Sequence, residues 1–73
     1  MNTGELFGKE VLDINANSIG KVSDIDFDLM GSTITHIVVK AGLNKKYHVD
    51  PDKIDKVGDK VILNVAKDKI IKG

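Results

Sequence analysis

Residues 19–28 read Ile19-Gly20-Lys21-Val22-Ser23-Asp24-Ile25-Asp26-Phe27-Asp28, and apolar and acidic residues alternate through their second half. Ile25, Phe27 and the following Leu29 occupy odd positions, while the three aspartates occupy even positions. This alternation is typical of a strand with one solvent-exposed (wet) face and one buried (dry) face. Val22 is apolar on the acidic parity, so we expect a bulge or a sharp bend near Ser23. The segment predicts a long, bent β-strand.

The remainder of the chain also favours β-structure. Ile and Val make up 17 of the 30 apolar residues, and β-branched side chains pack well on pleated surfaces. Turn-forming residues recur about every ten residues and separate six short strands, predicted at 9–13, 19–29, 33–40, 45–49, 54–57 and 60–65. We therefore expect an all-β fold of about six short antiparallel strands, closed into a small barrel that leaves few free edges.

The length predicts one domain over residues 1–73, with a core over 6–65 and a tail over 66–73. The tail fits either a single helical turn or a further strand. A domain of this size buries only about 60% of the surface of its unfolded chain. Because the chain has no cysteine, disulfides and thiolate metal sites cannot supplement that core, and oligomerisation is the expected supplement.

Composition and motifs argue against several classes of protein. The lack of cysteine fits a reducing compartment, so we expect a cytoplasmic protein, and no apolar stretch predicts direct insertion into a membrane. No phosphate-binding glycine loop and no nucleophile motif is present, so we expect neither an enzyme nor a cofactor. The net charge is zero, from −4 in residues 1–30 and +4 in 31–73, and every basic residue is lysine, which disfavours nucleic-acid binding.

Two groups of residues resemble parts of metal sites. Asp24-x-Asp26-x-Asp28 matches the opening of a calcium-binding loop, but Leu29 and Thr35 stand where that loop needs glycine and glutamate. We interpret the aspartates as a solvated strand face without a divalent cation. His36 and His48 are too few ligands for a metal on their own.

Two predicted strands, at residues 34–39 and 61–65, have apolar side chains at both odd and even positions and therefore on both faces. A barrel covers only the inner face of a strand, so we expect a homodimer with at least one of these strands at its interface. The candidate interface residues are Ile37, Val38, Val39, Ile62, Ile70 and Ile71. In the alternative, the tail folds back over the outer face and the chain is a monomer.

A second candidate surface is basic. Lysines from the end of the third predicted strand onward, together with the single tyrosine, fit a barrel rim that holds RNA by charge and stacking. The residues of this candidate rim are Lys40, Lys45, Lys46, Tyr47, Lys53 and Lys56. The alternative is a solvated rim that keeps edge strands from aggregating.

The order of these segments resembles the PRC-barrel family. Leu6-Phe7-Gly8-Lys9-Glu10-Val11 is similar to the family's opening strand, and residues 19–28 are similar to its central segment. Residues 34–39, 47–49 and 54–63 follow in family order. The resemblance implies a small SH3-like β-barrel of the stand-alone, archaeal type, in which Gly8, Gly20, Pro51 and Gly58 are structural turn residues.

The resemblance also implies a class of function. It predicts a non-enzymatic adaptor that self-associates and binds a protein partner, in archaeal cell division or another cytoplasmic assembly. The alternative is an RNA- or ribosome-associated factor, by similarity to ribosome maturation factors that carry this domain.

Overall fold

The structure is a computed structural model that describes residues 3–72, with side chains described for residues 4–70. In chain order its elements are α1 (Thr3–Leu6), β1 (Glu10–Leu12), β2 (Ser18–Asp28), β3 (Thr33–Ala41), β4 (Lys45–Val49), β5 (Ile54–Val57), β6 (Val61–Leu63) and β7 (Ile71–Lys72). Two 3₁₀ turns, Pro51–Lys53 and Lys67–Lys69, precede β5 and Ile70. The all-β prediction is confirmed. Two of the six predicted strands match the observed ones at both ends, and the other four differ by at most two residues at an end.

The strands form one seven-stranded sheet in the order β5-β6-β1-β2-β3-β4-β7. The prediction of antiparallel strands is wrong at one place, because β1 and β6 pair in parallel through Val11 with Val61 and Leu12 with Ile62. Turn spacing predicts which strands form hairpins with their neighbours along the chain. It does not predict which strand later returns beside the first one.

The inner face of the sheet surrounds one apolar core. Its buried residues are Leu6, Val11, Ile19, Val22, Ile25, Ile37, Val39, Tyr47, Val49, Val61 and Leu63. Ile54 and Val57 of the edge strand β5 pack against this core, and so does Ile70 beside the other edge strand. Since residues from both edges of the sheet reach the same core, the sheet is curled into the predicted barrel-like shape.

The predicted irregularity in β2 is confirmed. Val22 pairs with Val39 and Asp24 pairs with Val38, so Ser23 is the extra residue of a bulge. The Ser23 hydroxyl donates a hydrogen bond to the carbonyl oxygen of Val38 at 3.4 Å. The bulge explains how Val22 and Ile25, which differ in parity, both reach the core.

The four predicted turn residues have different roles. Gly20 lies where β2 passes the backbone of Lys40, and a Cβ placed on it would stand 2.3 Å from the Lys40 carbonyl oxygen. Gly8 has a φ of +84°, and Pro51 begins the first 3₁₀ turn, as a turn role requires. Gly58 lies in the turn between β5 and β6, but its φ is not positive and a Cβ there would meet nothing within 4 Å, so this turn does not require glycine.

The tail contains both of the structures that its sequence allowed, a 3₁₀ turn followed by the short strand β7. Through its backbone β7 pairs with β4, Ile71 opposite His48 and Lys72 opposite Tyr47. The tail therefore extends the edge of the sheet, and it does not form the cover over the outer face of β3 that the monomer alternative requires.

A buried carboxylate that the sequence reading missed fixes the start of the tail. Asp13 follows β1 and is only 1% exposed. It accepts hydrogen bonds from the backbone N–H groups of Asn15, Asn17 and Lys67 at 2.8–2.9 Å, and from the Asn17 side-chain amide at 3.4 Å. This side chain thus joins the β1–β2 turn to a residue 54 positions later in the chain.

Candidate interaction surface

The second half of β2 and the first half of β3 form a two-stranded arm, residues 23–36, which extends out of the barrel beyond Ile25. β1 pairs with β2 only as far as Lys21, and the preceding loop adds backbone hydrogen bonds only at Val22. β4 pairs with β3 only from Ile37 onward. Within the arm the two strands pair with each other, so neither has a third strand beside it.

Four apolar side chains are exposed at the end of this arm. We call them the apolar tip: Phe27, Leu29, Met30 and Ile34, which are 56%, 86%, 97% and 36% exposed. Phe27 and Ile34 lie directly opposite each other across the two strands. The interpretation of Phe27 and Leu29 as members of a dry face is wrong, because the barrel ends at Ile25 and leaves nothing to cover them.

The turn that carries the tip is held by Asp28. Its Oδ1 accepts hydrogen bonds from the backbone N–H groups of Met30 and Gly31 at 3.1 and 3.2 Å. Aspartate side chains commonly stabilise turns in this way. The exposed Leu29 and Met30 are therefore presented on an ordered turn, which reduces the entropy lost when a partner binds.

The three aspartates of the arm are exposed, as predicted for a solvated strand face. The Asp24 carboxylate accepts a hydrogen bond from the backbone N–H of Ile25 at 3.1 Å. Across the described part of the chain, no group of three or more His, Asp or Glu side chains is arranged to hold a metal ion.

We expect calcium and magnesium to leave the arm unchanged. Asp24 and Asp28 direct carboxylate oxygens to their own backbone, and a calcium site needs six to eight oxygen ligands. Amide NMR shifts measured during a titration with either cation test this expectation. Saturable shifts confined to residues 24–28 at sub-millimolar cation would contradict it.

Three lysines form a row across the opposite end of the same strands. We call Lys21, Lys40 and Lys46 the lysine row, because Lys40 lies directly opposite Lys21 on β2 and directly opposite Lys46 on β4. All three are exposed. Like charges in directly opposed positions of a sheet repel each other, so the row destabilises the isolated chain.

No described carboxylate neutralises this row by direct contact. Glu10 pairs in register with Lys21, but its carboxylate is 3.0 Å from Lys60 Nζ and accepts a hydrogen bond from Ser18 Oγ. The hydrogen bond from Lys60 and then that from Ser18 lower the pKa of Glu10. The one other ion pair within 4.0 Å among the described side chains joins His36 to Asp50.

His36 and Asp50 lie nearer to the tip, at the far side of Val38 from the lysine row. His36 Nε2 is 3.3 Å from Asp50 Oδ1, and the His36 and His48 rings meet edge to face with centroids 5.9 Å apart. Asp26 is directly opposite His36 on β2. The outer face of these strands therefore carries lysines at one end and acidic groups toward the other. Phe27 and Ile34 of the apolar tip lie on the opposite face of the arm.

The residues predicted for the dimer interface are mostly internal. Ile37 and Val39 are 4% and 0% exposed and belong to the core, so the expectation that they contact a partner is wrong. The curled sheet covers their inner faces, while Val38, between them, lies on the outer face and is 6% exposed. Ile62 is partly buried and Ile70 packs on the core. The side chain of Ile71 lies outside the described residues.

The residues predicted for an RNA rim do not come together. Tyr47 is 8% exposed and belongs to the core, so it offers no face for a base to stack on. Lys40, Lys45 and Lys46 gather at the β3–β4 turn, whereas Lys56 lies on β5 at the other edge of the sheet. Lys53, in the 3₁₀ turn before β5, lines a separate shallow cavity with His48, Asp50 and Lys69.

Comparisons with known proteins agree with this architecture. A family model described as PRC-barrel domain matches residues 1–70, and no curated protein matches the chain. Within residues 3–72, no helix has the length and apolar character to span a membrane. The match covers nearly the whole chain and the curled sheet has the expected form. The chain belongs to the PRC-barrel domain family.

Proposed function

We propose that this chain is a non-enzymatic protein-binding module that self-associates, and that the apolar tip is its binding surface. The observation that carries the proposal is the exposure of four neighbouring apolar side chains on one projecting, ordered hairpin. Contiguous exposed apolar patches mark interaction sites, whereas single exposed apolar residues are ordinary. The other large exposed apolar residues, Phe7, Ile14 and Leu43, are separate from the tip in the sequence.

Family membership supports the class of function. PRC-barrel domains are generally non-catalytic binding modules. Domains of this family act as adaptors in photosynthetic, ribosomal and archaeal cell-division assemblies. By extension, we propose that this chain also acts in a cytoplasmic assembly. The small size of the domain supports self-association, because a partner surface adds buried apolar area to a 73-residue chain whose own core is small.

The charges beside the tip favour protein over other partners. Asp24, Asp26 and Asp28 lie within the same arm and are exposed. Anionic lipid surfaces and nucleic-acid phosphates repel such carboxylates. A protein surface that combines apolar and basic groups complements the tip and its aspartates together.

The test is the double substitution Leu29→Ser with Met30→Ser. We expect self-association, followed by light scattering and sedimentation velocity, to weaken at least about tenfold, because two large apolar side chains no longer leave water on binding. Both side chains are almost fully exposed, so the melting temperature should remain within a few degrees of the wild type. Ile14→Ser is the matched control, since Ile14 is exposed elsewhere, in the β1–β2 turn.

Two results would contradict the proposal. A mass of one 7.9 kDa chain at every protein concentration up to millimolar would exclude self-association. Tight binding to single-stranded RNA with a steep salt dependence, lost on Lys40→Glu and kept on Leu29→Ser, would assign the function to RNA and the site to the lysine row.

A further inference from the structure

We propose that the free edge of β2 in the arm binds an extended segment of another protein as an added antiparallel strand, and that this segment alternates basic and apolar side chains. We call this edge, residues 24–28, the arm edge. Strand addition at an open sheet edge is a common way for a domain to recognise a peptide. The arm edge is a backbone surface beside the apolar tip, and binding there does not require self-association.

The arm edge begins where the neighbouring segment leaves β2. The Val22 N–H donates a hydrogen bond to the Lys9 carbonyl oxygen at 3.0 Å, and the Val22 carbonyl oxygen accepts one from the Gly8 N–H at 2.9 Å. In the described part of the chain, β3 is the only strand that pairs with β2 beyond Val22. An incoming segment therefore continues the line of β1, in the antiparallel direction that β1 already has against β2.

Two contacts identify the backbone groups that point to this edge. The Asp26 carbonyl oxygen points to β3, because it accepts a hydrogen bond from the Thr35 hydroxyl at 3.2 Å. Since the backbone groups of successive residues point to opposite sides of a strand, those of Ile25 and Phe27 point to the arm edge. The Ile25 N–H accordingly bonds to the Asp24 carboxylate at 3.1 Å. An added strand exchanges its hydrogen bonds with Ile25 and Phe27.

The opposite edge of the arm is less open. His36, where the arm meets the barrel on β3, has its Nε2 atom 3.3 Å from Asp50 Oδ1. The 3₁₀ turn Pro51–Lys53 that follows Asp50 also lies beside β3. A strand added along β3 would have to displace these groups, so the edge of β2 is the favoured one.

The side chains beside the arm edge determine the chemistry of the partner. Directly opposed residues of neighbouring strands project from the same face of a sheet. Residues opposite Asp24, Asp26 and Asp28 therefore lie on the acidic outer face, whereas residues opposite Ile25 and Phe27 lie on the apolar core-side face. No described lysine forms an ion pair with these three aspartates. A segment with the pattern basic-apolar-basic-apolar-basic is complementary to both faces.

A second copy of this chain does not fit the arm edge. Two arm edges paired antiparallel would place aspartates opposite aspartates, and like charges in opposed positions destabilise a sheet. None of the described strands alternates lysine with apolar residues over five positions. The occupant is therefore a segment of a different protein.

Peptide binding followed by amide NMR tests the arm edge. The probe is the pentapeptide Lys-Val-Lys-Val-Lys with both ends blocked, added to the isotope-labelled full chain. We expect saturable shifts that are largest at Ile25 and Phe27. Backbone N-methylation of both valines removes the N–H groups that face these two residues, so it should weaken binding at least about tenfold. Methylation of two lysines, whose N–H groups point away, should change the affinity less than about threefold.

The charge pattern is tested at Asp26, which neither bonds to the Ile25 N–H nor holds the turn. Asp26→Lys should bind Lys-Val-Lys-Val-Lys at least about fivefold more weakly than the wild type, and Glu-Val-Glu-Val-Glu more tightly, because an attraction across the strands becomes a repulsion and the reverse. Asp55→Lys is the matched control, since Asp55 is exposed on β5 at the other edge of the sheet. It should leave both affinities within about twofold of the wild type.

The outcomes separate this site from the proposed function. Leu29→Ser with Met30→Ser should bind the peptide within about threefold of the wild type even where it no longer self-associates. The arm edge is overturned, and the tip is left standing, by the absence of saturable shifts at millimolar peptide, by largest shifts at residues 54–57, by equal effects of the two methylated peptides, or by unchanged affinity of Asp26→Lys. A wild type that is monomeric at every concentration overturns the self-association alone.

Discussion

Gly20→Ala is expected to lower the free energy of unfolding by about 3 kcal/mol or more. The added Cβ would stand 2.3 Å from the carbonyl oxygen and 2.8 Å from the carbonyl carbon of Lys40. Both are backbone atoms of the neighbouring strand, so no side chain can rotate to relieve the contact. Gly20 also has a φ of +156°, where an L side chain adds strain.

This loss is large against the whole stability of the domain. At the typical 0.05–0.15 kcal/mol per residue, a chain of this length is stable by about 4–11 kcal/mol. The clash falls between β2 and β3, the strands that form both the barrel wall and the arm. A loss of about 3 kcal/mol leaves about 1–8 kcal/mol, so we expect a markedly lower unfolding midpoint, with partial unfolding at 37 °C where the wild-type stability is near the low end of the range.

Urea unfolding followed by circular dichroism measures the effect. Gly58→Ala is the matched control, because Gly58 has an ordinary φ and open space around the position of a Cβ. We expect it to change stability by less than about 1 kcal/mol, in either direction. Equal effects of the two substitutions would show that close packing at Gly20 does not stabilise the fold.

The same two glycines show how far the sequence predicts this fold. The bend at Ser23 and the strands on either side of it follow from local alternation, which depends only on residues that are neighbours in the chain. Gly20 and Gly58 look alike at that level, since each lies close to the start of a predicted strand. What separates them is the backbone of Lys40, and only the pairing of β2 with β3 brings it beside Gly20.

The candidate surface was less predictable for a related reason. Alternation placed Phe27 with Ile25 on a dry face, but how far the dry face extends depends on where β1 and β4 end. The sequence shows many lysines, yet only strand register aligns Lys21, Lys40 and Lys46 across three strands. Ile37 and Val39 were predicted to lie at an interface because the sequence does not show that the sheet curls over them. That curl depends on how all the strands pair.

Asp13→Ala should have the second largest effect, a fall in melting temperature on the order of 10 °C. The substitution leaves the backbone N–H groups of Asn15, Asn17 and Lys67 without their acceptor, at a side chain that is only 1% exposed. Buried donors without a partner are costly. Lys67 begins the 3₁₀ turn before Ile70 and β7, so amide hydrogen exchange should accelerate most in residues 67–72. Equal acceleration in all strands would contradict the inference that Asp13 holds the tail in place.

Asp13 also makes the stability of the chain depend on acid pH. Burial alone would raise its pKa, but the hydrogen bonds from the backbone of Asn17, Lys67 and Asn15 outweigh burial and hold the pKa below its usual value. A carboxylate whose pKa is lower in the folded state adds stability above the unfolded pKa, near 4, and that stability is lost as the pH falls through the folded pKa.

Asp13→Asn cannot titrate, so its melting temperature should fall less than that of the wild type between about pH 4 and pH 2. Asp55→Asn, at an exposed site on β5, should follow the wild-type curve, and parallel curves for all three proteins would show that Asp13 does not couple folding to pH.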